Sequence, residues 1–165
     1  MTSPPSASPD LPPPAAPQQV APGGTGPLRV IGNVIWLVFA GVWMATLYFV
    51  VGLIQCVTII GIPFGLQSFK LAVYALWPFG RVVVQRTDRD PGLSCLGNIV
   101  WLLFGGLELA LAHVVTGLLL CVTIIGIPFG IASFKLAGLA LMPFGKTIVN
   151  AGAPLPPNTT VFLSV

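Results

Sequence analysis

One apolar unit occurs twice in this chain, at Gly32–Val84 and again at Gly97–Val149. A shift of 65 residues aligns the two copies over about 53 positions without a gap, and about 31 of these positions are identical. An ungapped match of that length indicates duplication of a structural unit. The fold must therefore be one that a single unit can form twice in tandem.

The two units are too apolar for a protein that is dissolved in water. Hydrophobic residues make up 55% of the chain and charged residues 7%, whereas charged residues make up about 25% of an ordinary soluble domain. The sequence therefore predicts repeats at 28–84 and 97–149 that are embedded in lipid. Around them we expect a disordered Pro-rich tail at 1–27, a charged connector at 85–96 and a polar C-terminal tail at 150–165.

Four short motifs recur at the same place in each copy: G-N-x-x-W-L-x-F, C-x-T-I-I-G-I-P-F-G, S-F-K-L-A, and P-F-G followed by Arg or Lys. This pattern resembles the YccF family of bacterial inner-membrane proteins, whose domain occurs in one or more copies and has no assigned biochemical activity. The resemblance covers nearly all of 32–149. It implies a bacterial plasma-membrane location and supplies no catalytic residues.

Each unit is long enough for two membrane segments. From its Asn to its Pro-Phe-Gly a unit runs about 47 residues, or about 70 Å of helix, against a hydrocarbon core of about 30 Å. We therefore predict an all-α membrane protein of two tandem helix–break–helix hairpins, with about four membrane-embedded segments. The break is expected where proline removes a donor and glycine frees the backbone. Its residues are Gly61, Pro63, Gly65, Gly126, Pro128 and Gly130.

The two segments of a unit differ in length, which leaves two arrangements open. The segment before the break is long for one span, and 66–79 is short. Either the first helix tilts and the turn falls near Gln55, or the second segment is a half-helix and the break lies within the membrane.

The basic residues predict the orientation. Arg29 precedes the first unit, Arg81, Arg86 and Arg89 follow it, and Lys146 ends the second. If each unit is a hairpin, all of them lie on one side, which the positive-inside rule places in the cytoplasm together with the connector 85–96. The alternative is one span per unit with 66–79 flat on the surface, which would make the two copies inverted.

Lys70 and Lys135 occupy the same position in the two copies and form the first part of a candidate polar membrane site. Such a cation could line a polar path or bind an anionic headgroup or substrate. The simpler interpretation is that each aliphatic stem reaches toward the membrane surface.

Glu108 and His113 complete the candidate polar membrane site. Their counterparts in the first copy are Trp43 and Tyr48. A carboxylate in the middle of an apolar segment is costly unless it is neutral or paired, and we expect Glu108 either to be neutral or to pair with a polar group such as Gln55 or Lys135. A proton relay through Glu108 and His113 is the alternative, although the two are about 140° apart on a helix.

Catalytic, metal-binding and cofactor-binding motifs are not evident in the sequence. Cys56 and Cys121 could join His113 as metal ligands, but an apolar setting favours packing. There is no phosphate-binding Gly-Lys loop and no nucleophile motif. The net charge of +3 is too small and scattered for nucleic-acid binding.

The sequence therefore predicts a small non-enzymatic inner-membrane protein with a structural or regulatory role and no cofactor. Its expected partners are the lipid bilayer and, through helix–helix contacts, a second copy or other membrane proteins. The alternative is an oligomeric transporter or channel element with a polar site at the broken helices.

Overall fold

The computed structural model describes residues 26–165, so the disordered tail predicted at 1–27 lies almost wholly outside the described residues. The described chain is mostly helical, which confirms the predicted fold class, and α1 and α3 are each long and apolar enough to cross a membrane. The elements are α1 Pro27–Cys56, α2 Ile62–Leu76, β1 Arg81–Arg86, α3 Pro91–Cys121, α4 Ile127–Leu141, β2 Lys146–Asn150 and β3 Thr159–Ser164.

Each repeat folds into a helical hairpin, as predicted. In the first repeat α2 packs antiparallel along the C-terminal half of α1, and α4 packs in the same way along α3. Glycine makes this close packing possible. A Cβ atom at Gly65 would lie 2.3 Å from Sγ of Cys56, and one at Gly130 would lie 2.3 Å from Sγ of Cys121.

The chain turns at 57–61, just before the predicted break. A Cβ atom on Gly61 would lie 1.9 Å from the carbonyl oxygen of Gln55, so the turn requires glycine there. Pro63 sits in the first turn of α2, where its missing N–H has no helical partner to lose. Proline therefore begins a helix here instead of interrupting one. The turn falls near Gln55, as expected if the first helix tilts. At the same time α2 has only 15 residues, as expected if the second segment is a half-helix.

The open end of each hairpin is closed by side chains from the recurring motifs. The Asn33 side chain donates to the Phe79 carbonyl (2.9 Å) and accepts from the Phe79 amide (3.1 Å). The Trp36 indole donates to the carbonyl of Ala75 (2.7 Å), next to a π-helical segment at Leu37–Gly41. The second repeat repeats both contacts through Asn98 with Phe144 and Trp101 with Ala140.

A three-stranded antiparallel sheet in the order β2-β1-β3 packs against the helices, and it was not predicted. β1 uses the end of the first repeat and the start of the connector predicted at 85–96, most of which therefore lies in β1 or α3. β3 forms within the C-terminal tail predicted at 150–165.

The two hairpins are related by a pseudo-twofold axis and run antiparallel. Val83 of β1 pairs with Ile148 of β2, and the two residues occupy the same position in their repeats. The aromatic contact of Phe64 with Phe144 is matched by that of Phe79 with Phe129. The start of each second helix thus meets the open end of the other hairpin. The predicted hairpins place the open ends of both repeats on one side, whereas in the structure the two open ends lie at opposite ends of the pair.

Candidate functional site

His113 lies at the pseudo-twofold axis and is 1% exposed. The Ser133 hydroxyl donates to the His113 carbonyl (2.8 Å), so the Ser133 oxygen is left to accept from the Nδ1–H of His113 (3.3 Å). Nε2 then accepts from the hydroxyl of Tyr48 (3.2 Å), the counterpart of His113 in the first repeat. A neutral imidazole with its proton on Nδ1 therefore satisfies every polar atom of this group.

Gln55 forms a second buried polar group between the repeats. Its amide donates to the carbonyl of Phe104 (2.7 Å), and its oxygen accepts from the hydroxyl of Ser68 (2.7 Å). The Phe104 carbonyl precedes Gly105, which has a φ of +141° and kinks α3. The counterpart of Gln55 is Leu120, so this contact exists once and makes the two repeats unequal.

Lys70 and Lys135 both bind the sheet. The Lys70 ammonium donates to the carbonyl of Lys146 at the start of β2 (2.8 Å). The Lys135 ammonium donates to the carbonyl of Ser164 at the end of β3 (3.0 Å). Each lysine therefore ties the second helix of its hairpin to the backbone of a strand.

The structure does not bring Glu108 and His113 together. Glu108 is exposed on α3, whereas His113 faces the interior. Gln55 and Lys135, the expected partners of Glu108, are hydrogen-bonded elsewhere. Glu108 thus lies on an apolar outer surface at the position that Trp43, also exposed, takes in the first repeat.

The predicted helix-break residues surround two apolar hairpin tips. Gly61, Pro63 and Gly65 shape the first tip, and Gly126, Pro128 and Gly130 the second. At the tips themselves Ile59 and Ile124 are each 87% exposed. The large side chains that these tips expose are therefore apolar, and the Thr58 and Thr123 hydroxyls hydrogen-bond to the backbone of their own turns.

A cavity opens at the same place in each repeat, between the start of the long helix and the Pro-Phe-Gly motif. The cavity of about 360 Å³ in the first repeat is lined in part by Asn33 and Phe79. The cavity of about 520 Å³ in the second is lined in part by Asn98 and Phe144. The two sites are therefore duplicated, like the chain that builds them.

Basic side chains line both cavities. Arg29 and Arg81 belong to the first, and Arg86, Arg89 and Lys146 to the second. Arg86 forms an ion pair with Asp88, and its hydrogen bond lowers the pKa of that carboxyl. Burial lowers the pKa of the Lys146 amine, whose Nζ lies 4.2 Å from the centre of the Phe162 ring. The residues that line each cavity include basic but no acidic side chains.

Sequence reasoning missed two of these features. The sequence predicts for Gln55 only a place near the turn and a contact with Glu108. Gly105 replaces the Ala40 of the first repeat, and this difference indicates a kink that leaves the Phe104 carbonyl in need of a donor. The cavities were missed because they draw residues from distant parts of each repeat. Among residues 26–165 no three His, Cys, Asp or Glu side chains gather as a metal site would require.

Comparison with known proteins decides the family. A family model described as the YccF inner membrane component domain matches residues 31–81 and again 96–146. The chain belongs to the YccF family. The inner membrane protein YccF of Escherichia coli (strain K12) and that of Shigella flexneri are each 32% identical to it over 131 residues, or 74% of this chain and 88% of theirs. No solved structure matches the chain. The predicted resemblance and inner-membrane location are thereby confirmed.

Proposed function

We propose that this YccF protein is a non-enzymatic structural or regulatory component of the inner membrane, acting through contacts with lipid and with other membrane proteins. The observation that carries the proposal is the pairing of the buried polar groups that lie between the two repeats. Tyr48, His113 and Ser133 satisfy one another, and Gln55 is satisfied by Ser68 and a backbone carbonyl. Catalysis requires groups that are free to meet a substrate, and these groups are not free.

Transport is the competing function, and it needs a polar path along the broken helices. The groups that could line such a path are placed elsewhere. Lys70 and Lys135 are bonded to strand carbonyls, and the residues around the breaks expose apolar side chains. This distribution supports the structural role over transport.

Reconstitution into liposomes separates the two functions. We expect no proton or solute flux above that of empty liposomes, and no change in Lys70→Leu or Glu108→Leu. A flux that the wild-type protein produces and either variant abolishes would overturn the proposal and favour transport.

Partner capture tests the positive side of the proposal. We expect crosslinking in native membranes to trap the protein with a specific membrane protein or with a second copy, through its exposed helical surface. Trp43→Glu should reduce the yield of that product, because it places a second carboxylate on the surface that carries Glu108. A protein that remains uncrosslinked at every exposed position tested would contradict a role through protein contacts.

A further inference from the structure

The sheet lies lengthwise along α2, not at its end. Gln67 donates to the carbonyl of Pro143 (3.1 Å), and one turn later Lys70 donates to that of Lys146 (2.8 Å). Both α2 and the chain from Pro143 into β2 therefore advance in the same direction, side by side. The space between them continues as a cavity of about 360 Å³ lined by Lys70, Val73, Arg81, Thr147, Ile148 and Asn150.

This placement conflicts with a helix that stands upright in a bilayer. If α2 crossed the hydrocarbon core, the sheet beside it would lie in hydrocarbon too. Its order β2-β1-β3 leaves the outer edges of β2 and β3 without a neighbouring strand. Open sheet edges do not occur against lipid, because their backbone groups cannot be satisfied there.

The charged side chains mark the side that faces water. Among residues 26–165, every charged side chain except Glu108 lies in the sheet, in the turn after β1, or within reach of a strand or its ends. These residues are Arg29, Lys70, Arg81, Arg86, Asp88, Arg89, Asp90, Lys135 and Lys146.

The opposite side of the helices is apolar along its length except at Glu108. Hydrogen bonds from the middle of a helix to the strands come from α2 and α4, so α1 and α3 form the layer farther from the sheet. Large apolar side chains are exposed along α1 from Leu28 to Ile54 and along α3 from Leu93 to Leu119, and at both hairpin tips. Continuous exposure of this kind requires a lipid environment.

We infer that the protein lies in one leaflet of the bilayer, with its helices roughly parallel to the surface and the sheet on the aqueous, cytoplasmic side. The outer layer of α1 and α3 is about 10 Å thick and fits within the roughly 15 Å of hydrocarbon in one leaflet, so α2 and α4 lie between it and the sheet, toward the headgroups. α1 and α3 are long enough to cross but lie in the plane. The inference goes beyond the proposed function, since it holds whichever partner the protein has.

The leaflet that receives the protein is anionic. The duplicated basic cavities lie at the two ends of the sheet, where the helices meet water. Arg29 at one end and Arg89 at the other therefore lie at the depth of the headgroups. A phosphate group of an anionic phospholipid is the chemistry that such cavities fit.

Cysteine labelling of the full chain in native membranes tests this placement. In a background of Cys56→Ala, Cys95→Ala and Cys121→Ala, single cysteines are introduced by Ile60→Cys, Ile125→Cys or Thr160→Cys. A membrane-impermeant maleimide is added to spheroplasts, to inverted vesicles and to detergent-solubilised protein. The two tip positions are 79% and 77% exposed in the protein itself, so their labelling in detergent is the control for accessibility.

We expect neither tip to react from either side of the membrane and both to react in detergent. Thr160→Cys should react in inverted vesicles and in detergent but not in spheroplasts. Labelling of one tip from the periplasm would show upright, inverted hairpins, and labelling of both would show parallel spanning hairpins. Either result overturns the inference, as does labelling of a tip in inverted vesicles. None of these results bears on transport or partner binding, so the proposed function stands or falls separately.

Discussion

Tyr48 and His113 occupy the same position in the two repeats and are hydrogen-bonded to each other at 3.2 Å across the pseudo-twofold axis. Two identical side chains could not fill these roles so simply, because one must donate and the other accept. The difference between the repeats at this position therefore matches the need of an antiparallel pair for complementary partners on its axis.

Tyr48→Phe should destabilise the protein by about 1–3 kcal/mol, because it leaves a buried imidazole nitrogen without a partner. Tyr74→Phe is the matched control. Among the described residues, the Tyr74 hydroxyl is the buried side-chain group that lacks a hydrogen-bond partner, so its removal should be neutral or stabilising. Unfolding in a denaturing-detergent titration measures both. Equal losses in the two variants would show that the bond to His113 contributes nothing.

Gln55→Leu should cost about 1–3 kcal/mol, since it strands the Phe104 carbonyl and the Ser68 hydroxyl in the interior. Leucine is the residue at the equivalent position of the second repeat, Leu120, so the hairpin fold already accommodates a leucine side chain there. Adding Gly105→Ala to Gln55→Leu tests the coupling. The double variant should lose clearly less than the sum of the two single losses, and strict additivity would contradict the proposed pairing.

Gly65→Ala and Gly130→Ala should each prevent the hairpin from closing normally, because the new methyl group would meet a cysteine sulfur at 2.3 Å. Thermal unfolding in mild detergent should show a loss of several kcal/mol for each. Gly138→Ala is the control within α4. No atom lies within 4 Å of its Cβ position, so helix propensity should make it stabilising by about 0.5–1 kcal/mol. A destabilising Gly138→Ala would contradict the packing described here.

Arg29→Ala combined with Arg89→Ala should remove most of the stabilisation that anionic phospholipid gives the protein. The measurement is the shift of the melting temperature in neutral detergent when anionic or zwitterionic phospholipid is added. We expect the wild-type protein to respond to the anionic lipid alone. Inorganic phosphate is the second arm, and a response to it that equals the response to lipid would indicate sites for a free anion instead.

The hairpins, the closing motifs and the family could be predicted because they are local properties of one repeat. Asn33, Trp36 and Phe79 all recur at the equivalent positions of the second repeat. An apolar stretch as long as one repeat must also fold back on itself. The sheet could not be predicted in the same way. Its strand Arg81–Arg86 has only three apolar residues, Val82–Val84, which read as the end of the membrane unit, and β3 lies outside the repeat.

The antiparallel arrangement of the repeats also escaped prediction. It depends on contacts between the copies, such as that of Gln55 with the kink at Gly105. The other repeat has different residue types at these two positions, so comparison of the repeats does not reveal the contact. The basic residues predict the water-facing side from sequence alone, and that orientation stays a prediction. The sequence could not show that the basic residues gather around a sheet instead of at the ends of upright helices.

Distances between spin labels test whether the two hairpins pair antiparallel about the pseudo-twofold axis. Phe39 and Ile125 line one cavity of about 280 Å³, whereas the tip residues Ile60 and Ile125 lie beyond opposite ends of the α1–α3 contact. Double electron–electron resonance on cysteine pairs at these positions should give an Ile60–Ile125 distance that exceeds the Phe39–Ile125 distance by about 10 Å or more. An Ile60–Ile125 distance shorter than the Phe39–Ile125 distance would place the two tips side by side and contradict the antiparallel arrangement of the hairpins.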